Sequence, residues 1–132
     1  MKAKTAAYWI ATGVVATVMT ISGVLSLLRR MPFTHLGYPT YFAYILGVAK
    51  LLGVCALLVP GWVVVKEWAY AGFGITLISA IVSHFASGDG LVSLDPLFFF
   101  IMLTVSYLTR PAGRRLIPSG RFVAVANTEG AR

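Results

Sequence analysis

Four long apolar runs constrain the fold of this 132-residue chain more than any other feature of its sequence. They cover residues 5–28, 41–59 and 68–86, and a shorter run lies within residues 91–109. About 20 apolar residues in a helix match a hydrocarbon core of roughly 30 Å. A soluble helix would need a polar face, which these runs almost lack, and the strands of a transmembrane barrel would alternate in polarity. We therefore predict an all-α integral membrane protein, a four-helix transmembrane bundle.

The predicted domain organisation is one helical unit followed by a tail. The transmembrane domain covers residues 1–110, with helices expected at about 5–28, 41–59, 67–86 and 93–109. The first run is too long in its apolar core for a signal peptide, and no A-x-A-like site precedes a polar chain, so we expect a retained helix. Prolines and glycines after residue 110 interrupt any further helix. Residues 111–132 are therefore predicted to be a disordered, basic, cytoplasmic tail.

Basic residues predict the orientation in the membrane. The tail contributes Arg110, Arg114, Arg115 and Arg121. Four helices place both termini on one side, so Lys2, Lys4 and Lys66 join that side, against Arg29 and Arg30 on the other. Cytoplasmic segments carry the excess of lysine and arginine, which predicts an N-in, C-in topology. The net charge of +7 is explained by the basic residues that set this topology and by the basic tail. No motif supports nucleic-acid binding.

Lys50 lies near the middle of the second apolar run. A lysine at bilayer depth costs roughly 2.5–3.5 kcal/mol on insertion scales unless a partner or water relieves it. Gly47 and Gly53 share its helix face, and small residues let helices approach closely. Lys50 is about 13 Å from either end of the predicted helix. Its side chain of about 6 Å is therefore too short to reach water by snorkelling. We predict that Lys50 points into the bundle or into a cavity.

The third helix provides further candidate ligand-binding residues. In an antiparallel pair, Thr76 and Ser79 lie at the estimated depth of Lys50 and offer hydroxyl acceptors to its ammonium. Ser83 and His84 lie nearer the opposite end. An ionisable residue inside a membrane indicates a functional site by default. His84 has an equally good alternative, an interfacial position with a hydrogen bond to Asp89 or to lipid headgroups.

Glu67, Tyr41 and Tyr44 complete the candidate site. Glu67 opens the third predicted helix, where a carboxylate also suits the positive end of the helix dipole. It lies too far along that helix for a direct pair with Lys50 unless the helix is distorted or water bridges the two. An interfacial aromatic belt is the favoured explanation of Tyr41 and Tyr44, and a position at the mouth of a cavity is the alternative.

Small residues of the first helix predict its packing face. Gly13, Thr17, Thr20 and Gly23 recur at near-helical spacing. Such residues allow close helix approach inside membranes, so we expect this stripe to contact the other helices.

Several kinds of chemistry are excluded or disfavoured. The single Cys55 allows neither an intramolecular disulfide nor a C-x-x-C pair, and we expect it to be an apolar filler. His35 and His84 lie on different segments, so a metal or haem site would require the first loop to fold over the third helix. We predict no metal site and assign no catalytic residue.

Four motifs carry a resemblance to a known family. The stretches GYPTYFAYILGVAKLLG, PG, KEWAYAGF and SH occur in this order. Together they resemble the DoxX-like family of small bacterial membrane proteins over about residues 32–107. By position, the motif residues are Tyr38, Pro39, Tyr41, Gly47, Lys50, Gly53, Lys66, Glu67, Trp68, Tyr70, Gly72 and His84.

The resemblance implies a multi-pass protein of the bacterial inner (plasma) membrane. The wider group is named for its similarity to a subunit of a thiosulfate:quinone oxidoreductase and is linked with redox and oxidative-stress complexes. A quinone is therefore a candidate cofactor, and a membrane redox partner is a candidate partner beside the lipid bilayer. With one cysteine, dithiol chemistry by this chain alone is disfavoured.

Three functions remain open at this point. The favoured one is a protein without enzymatic activity that binds a small ligand, such as a quinone, in a Lys50/His84 cavity or supports a redox partner. The second is a quinone-linked oxidoreductase subunit in which His84 or Glu67 moves protons. The third is a small transporter or channel, which would need a homo-oligomer with a continuous polar path.

Overall fold

The computed structural model describes residues 2–30 and 33–116, and within them the fold is four α-helices without a strand. The helices are α1 (Lys2–Leu27), α2 (Thr40–Leu58), α3 (Val63–Ala86) and α4 (Leu94–Leu108). Short 3-10 helices, Gly90–Ser93 and Ala112–Arg114, precede and follow α4. All four helices are long and apolar enough to cross a membrane, the fourth when counted with its 3-10 turn. The predicted all-α transmembrane bundle is confirmed.

The helices form a closed ring, because α1 contacts α2 and α4, and α3 also contacts both. A hydrogen bond from Arg114 to the hydroxyl of Tyr8 (3.2 Å) places the segment after α4 beside the start of α1. We call this the terminal end; it also contains the α2–α3 turn. The other end, called the loop end, contains the α1–α2 loop and the α3–α4 turn.

The starts of α1 and α3 differ most from the sequence-based expectation, and α1 begins at Lys2 instead of residue 5. α3 begins at Val63 and not at residue 67, so Lys66 and Glu67 lie inside the helix and not at its start. Leu94 opens α4 directly after the 3-10 turn Gly90–Ser93, which supplies the extra length that a crossing needs. Of the predicted disordered tail, residues 112–114 form a 3-10 helix, and residues 117–132 lie outside the described part of the chain.

The small-residue stripe predicted on α1 is wrong except at Gly23. Gly13, Thr17 and Thr20 are exposed, whereas Gly23 is buried. A Cβ built on Gly47 would lie 2.9 Å from the carbonyl oxygen of Gly23, so the two backbones touch. The buried face of α1 consists of Tyr8, Ala11, Thr12, Val15, Ala16, Met19, Gly23 and Ser26. The spacing of the small residues does not indicate this face, because larger side chains such as Tyr8, Val15 and Met19 make most of its contacts.

The apolar core occupies the half of the bundle nearer the terminal end. It consists of Val15, Ala16, Met19, Val54, Leu57, Tyr70, Phe73, Leu77 and Leu103. α2 and α4 contribute residues from the part of their length towards that end, and α1 and α3 contribute residues from around their middle. The half nearer the loop end is less completely filled and contains the candidate site.

Candidate functional site

A cavity of about 520 Å³ occupies the loop-end half of the bundle. Its lining comes from all four helices and from the α1–α2 loop. Most of the lining is apolar, and its polar groups come from a row on α3 and from Ser22 of α1, Lys50 of α2, His35 and Tyr38 of the loop and Asp95 of α4. Known ligand sites have this composition, mainly hydrophobic walls with a few polar groups that orient the ligand.

Lys50 lies on the wall of the cavity and is only 7% exposed. Its Nζ donates a hydrogen bond to the hydroxyl of Ser22 over 2.7 Å. An ammonium group has three N–H donors. Among the described residues, Ser22 is its one hydrogen-bond partner, and no carboxylate pairs with it. Lys50 therefore has donors that are free to bind a further acceptor.

The hydroxyls expected beside Lys50 lie in the same cavity but are not its hydrogen-bond partners. Thr76 and Ser79 both line it, at the depth that the antiparallel arrangement predicts. The Thr76 hydroxyl donates to the Gly72 carbonyl over 2.8 Å within its own helix. The partner of Lys50 is instead Ser22, on the helix at its other side. The sequence does not indicate Ser22, because the depth of Lys50 does not show which neighbouring helix its side chain contacts.

The α1–α2 loop folds over α3 at the outer end of the cavity. Asp89 accepts hydrogen bonds from two imidazoles, from His84 Nδ1 over 2.7 Å and from His35 Nε2 over 3.0 Å. These bonds, first that of His35 and then that of His84, lower the pKa of the Asp89 carboxyl below its ordinary value. Tyr38 and Ser83 are joined by a further hydrogen bond of 2.9 Å between their hydroxyls.

The position of His84 agrees with both hypotheses, a ligand-site residue and an interfacial residue, because it lines the cavity and also bonds to Asp89. His35 lines the cavity as well. Within residues 2–30 and 33–116, no three His, Cys, Asp or Glu side chains are placed to hold a metal ion. The cluster therefore consists of hydrogen bonds that hold the loop against α3.

Three candidate residues do not line the cavity. Tyr41 is 64% exposed on the outer surface. Tyr44 is also exposed and accepts a hydrogen bond from Arg29, whose guanidinium lies 5.1 Å from the Tyr44 ring centroid. Both positions agree with the interfacial aromatic belt. Glu67 lies at the terminal end, where it pairs with Arg110 over 2.5 Å. We therefore leave these three residues out of the candidate site.

A comparison with protein-family models adds the decisive observation. The model of the DoxX-like family matches residues 10–106, which include the cavity, Lys50 and His84. The chain belongs to the DoxX-like family. No curated protein and no solved structure matches it significantly. The family assignment supports a multi-pass membrane protein, while the role of its cavity has to be argued from the residues that line it.

This DoxX-like protein has a second polar cluster, which the sequence did not predict, at its terminal end. Lys66 is 1% exposed, and its Nζ donates to the carbonyls of Ala56, over 2.6 Å, and Val59. Arg114 donates to the carbonyl of Leu57 over 2.9 Å. These carbonyls end α2, where the last turn has no intrahelical donors and a partial negative charge. Two cations from other segments therefore cap α2.

A buried network beside this cap explains Glu67. The guanidinium of Arg110, paired with Glu67, lies 3.9 Å from the ring centroid of Tyr107 and 4.9 Å from that of Tyr70. The Ser106 hydroxyl connects Tyr70 (2.8 Å) to Thr12 (2.7 Å). The hydrogen bonds of Ser106 therefore link α1, α3 and α4. The network holds the terminal half together and does not open into the cavity.

Proposed function

We propose that this protein binds a small ligand in the loop-end cavity and holds the ligand's polar head at Lys50. One observation supports this most strongly: a buried ammonium inside a membrane-spanning helix, with a single hydroxyl partner among the described residues, faces a space of about 520 Å³. Buried donors without acceptors are costly, and most of all in hydrocarbon. A ligand with an acceptor group lowers that cost.

The chemistry of the lining indicates the class of ligand. Lys50 donates at the inner end, and the hydroxyls of Tyr38 and Ser83 lie at the outer end. The walls between them are mostly apolar, as in ligand pockets of about 300–1,000 Å³. An anionic or carbonyl-bearing head with an apolar body fits this arrangement, and a quinone head is one such group. The family's link with redox complexes gives the quinone additional support.

Substitution of Lys50 by methionine tests the proposal. The protein in lipid nanodiscs is titrated with hexanoate and with a short-chain benzoquinone, and the affinity of Lys50→Met is compared with that of the wild type. Loss of a hydrogen bond from a charged donor is worth about 1.5–3 kcal/mol, so we expect the affinity to fall about tenfold to a hundredfold.

Lys4→Met is the matched control, because Lys4 is exposed in the first turn of α1, far from the cavity. It should bind like the wild type. The proposal fails if neither probe binds the wild type, or if Lys50→Met binds as tightly as Lys4→Met.

A quinone-linked oxidoreductase subunit is the second candidate function. The hydrogen-bonded groups His84, Asp89 and His35 at the mouth of the cavity favour it, because they offer a path for protons between the cavity and the membrane surface. Turnover of a quinone by the same nanodisc preparation would separate this function from binding alone.

Transport through a single chain has less support. The terminal half below the cavity is filled by the apolar core, and the Lys66 and Arg110 contacts close it further. A continuous polar path would need an assembly of several copies. We also propose that the membrane is a bacterial inner membrane with both termini inside, on the strength of the family and of the basic terminal end.

A further inference from the structure

A second, smaller space of about 300 Å³ lies between α2 and α3, towards the terminal end from Lys50. We call it the α2–α3 groove. Its lining is almost entirely apolar and includes Ala49, Leu52, Trp68, Gly72 and Phe73. Leu52 is 65% exposed and Trp68 is 75% exposed, so the edges of the groove form part of the outer surface of the bundle. In a membrane-spanning bundle, that surface faces hydrocarbon.

The groove and the cavity have a common wall. Leu46, Lys50 and Thr76 line both spaces. Lys50 thus lies between the two spaces, and the α2–α3 groove opens on the surface that faces the bilayer. A head group bound by its Nζ would have its chain directed towards the groove.

The two glycines of the groove differ in their surroundings. A Cβ on Gly53 would lie 2.6 Å from the ring of Phe73, so this ring packs directly on α2 and forms the floor. A Cβ on Gly72 would meet no atom within 4 Å. The wall of the groove at Gly72 is therefore open.

Side-chain contacts lie across the other end of the cavity. The α1–α2 loop is held against α3 and the α3–α4 turn by the bonds of His35 to Asp89 and of Tyr38 to Ser83. A ligand with a long apolar chain would have to pass these polar contacts from water. The side facing the bilayer presents mostly apolar groups, which cost such a chain little desolvation.

We propose that the ligand is a single-chain lipid that enters sideways from the bilayer, between α2 and α3. Its polar head lies at Lys50 in the cavity, and its chain leaves through the α2–α3 groove into the hydrocarbon. This inference rests on the proposed function and specifies its ligand class. A fatty acid and an isoprenoid quinone share this chemistry, an acceptor head on one apolar chain.

Blocking the groove tests the inference. Gly72→Leu and Ala49→Leu each place a branched side chain in the groove, and neither crowds the backbone, since Gly72 faces open space and Ala49 is exposed. Binding in nanodiscs is measured for hexanoate and palmitate, and for benzoquinones with one or several isoprenoid units, at equal mole fractions in the membrane. We expect the affinity for the long-chain ligand to fall tenfold or more and that for its short-chain analogue to change less than twofold.

The reason for this difference is steric. A lipid chain gains little free energy when it moves from the hydrocarbon of the bilayer into the apolar groove, so chain length alone adds little affinity. A blocked groove, however, leaves a long chain no exit while the head is at Lys50. Gly13→Leu is the control, because Gly13 faces open space on α1, away from both spaces. It should leave all affinities unchanged.

The outcomes separate the two proposals. If no short-chain probe binds the wild type, the proposed function fails and this inference fails with it. If the short-chain probes bind but both groove variants hold palmitate and the long-chain quinone as tightly as Gly13→Leu does, the inference alone is overturned. Selective loss of either long-chain ligand supports the inference and shows which head group the cavity accepts.

Discussion

At the scale of single residues, Ser106 shows how a small polar side chain can join three helices. Its hydroxyl is fully buried and contacts Thr12 of α1 and Tyr70 of α3. Both distances are below 3 Å, and the partners are themselves buried. Such networks lose more than one bond when their central member is removed.

We expect Ser106→Ala to lower the free energy of unfolding by about 1–2 kcal/mol, the upper part of the range for hydrogen bonds between membrane helices. Thermal unfolding in detergent would measure it. Thr104→Ala is the control, since Thr104 is exposed and its hydroxyl donates only to Phe100 of the same helix. Equal stability of the two variants would show that the Ser106 network contributes nothing.

Lys50 shows what the sequence reveals about a site at this scale. Its position within an apolar run predicted a buried side chain, and the structure buries it. Its hydrogen-bond partner was not predictable, because the run gives the depth of a residue but not which neighbouring helix its side chain meets. Ser22 and Thr76 both line the cavity, and only the packing of α1 brings Ser22 within 2.7 Å.

At the scale of helices, the contact between Gly23 and Gly47 sets the distance between α1 and α2. A Cβ on Gly47 would also lie 2.9 Å from Leu27 Cγ, so one methyl group collides with both backbone and side chain. Small residues at such crossings are the usual means of close packing in membranes.

We expect Gly47→Ala to destabilise the bundle, because overpacking costs about 1–3 kcal/mol and outweighs a gain in helix propensity of about 1 kcal/mol. Gly72→Ala should be neutral or stabilising, since its added methyl group meets open space. The two variants have the same chemical change, and their unfolding midpoints in detergent can be compared directly. A Gly47→Ala variant as stable as Gly72→Ala would mean that the crossing tolerates a wider separation.

The helices were predictable from the sequence to different degrees. Hydropathy found all four, because about 20 apolar residues have few alternatives to a spanning helix. Hydropathy does not indicate the first turn of α3, because the charged residues Lys66 and Glu67 interrupt the apolar run there. In the structure both lie inside the helix, where Lys66 caps α2 and Glu67 pairs with Arg110. A charge inside a membrane helix is tolerated when a neighbouring segment supplies its partner, and hydropathy contains no information about that neighbour.

At the scale of the whole molecule, the two halves of the bundle differ in packing. The terminal half holds the apolar core and the Ser106 and Arg110 networks. The loop half holds the cavity, and the contacts of Asp89 and Tyr38 lie across its mouth. The sequence did not predict this division, because a cavity arises from how the helices are arranged and no single run encodes it.

The orientation of the molecule can be measured with single cysteines. The basic terminal end predicts that it lies inside the cell. In a Cys55→Ser background, we expect Thr34→Cys to react with an impermeant maleimide in intact cells, and Ala3→Cys to react only in inverted vesicles. Both positions are exposed, at the loop end and the terminal end respectively. The reverse labelling pattern would contradict the N-in, C-in topology.

The central claim, that the head of a bound lipid lies at Lys50, is tested most directly by solid-state NMR in nanodiscs. The distance between the isotope-labelled Nζ of Lys50 and the labelled head carbon of bound palmitate or quinone is measured by dipolar coupling. We expect a separation under about 4 Å, as a hydrogen bond to the head oxygen requires. A saturably bound ligand without measurable coupling to this nitrogen would contradict the account.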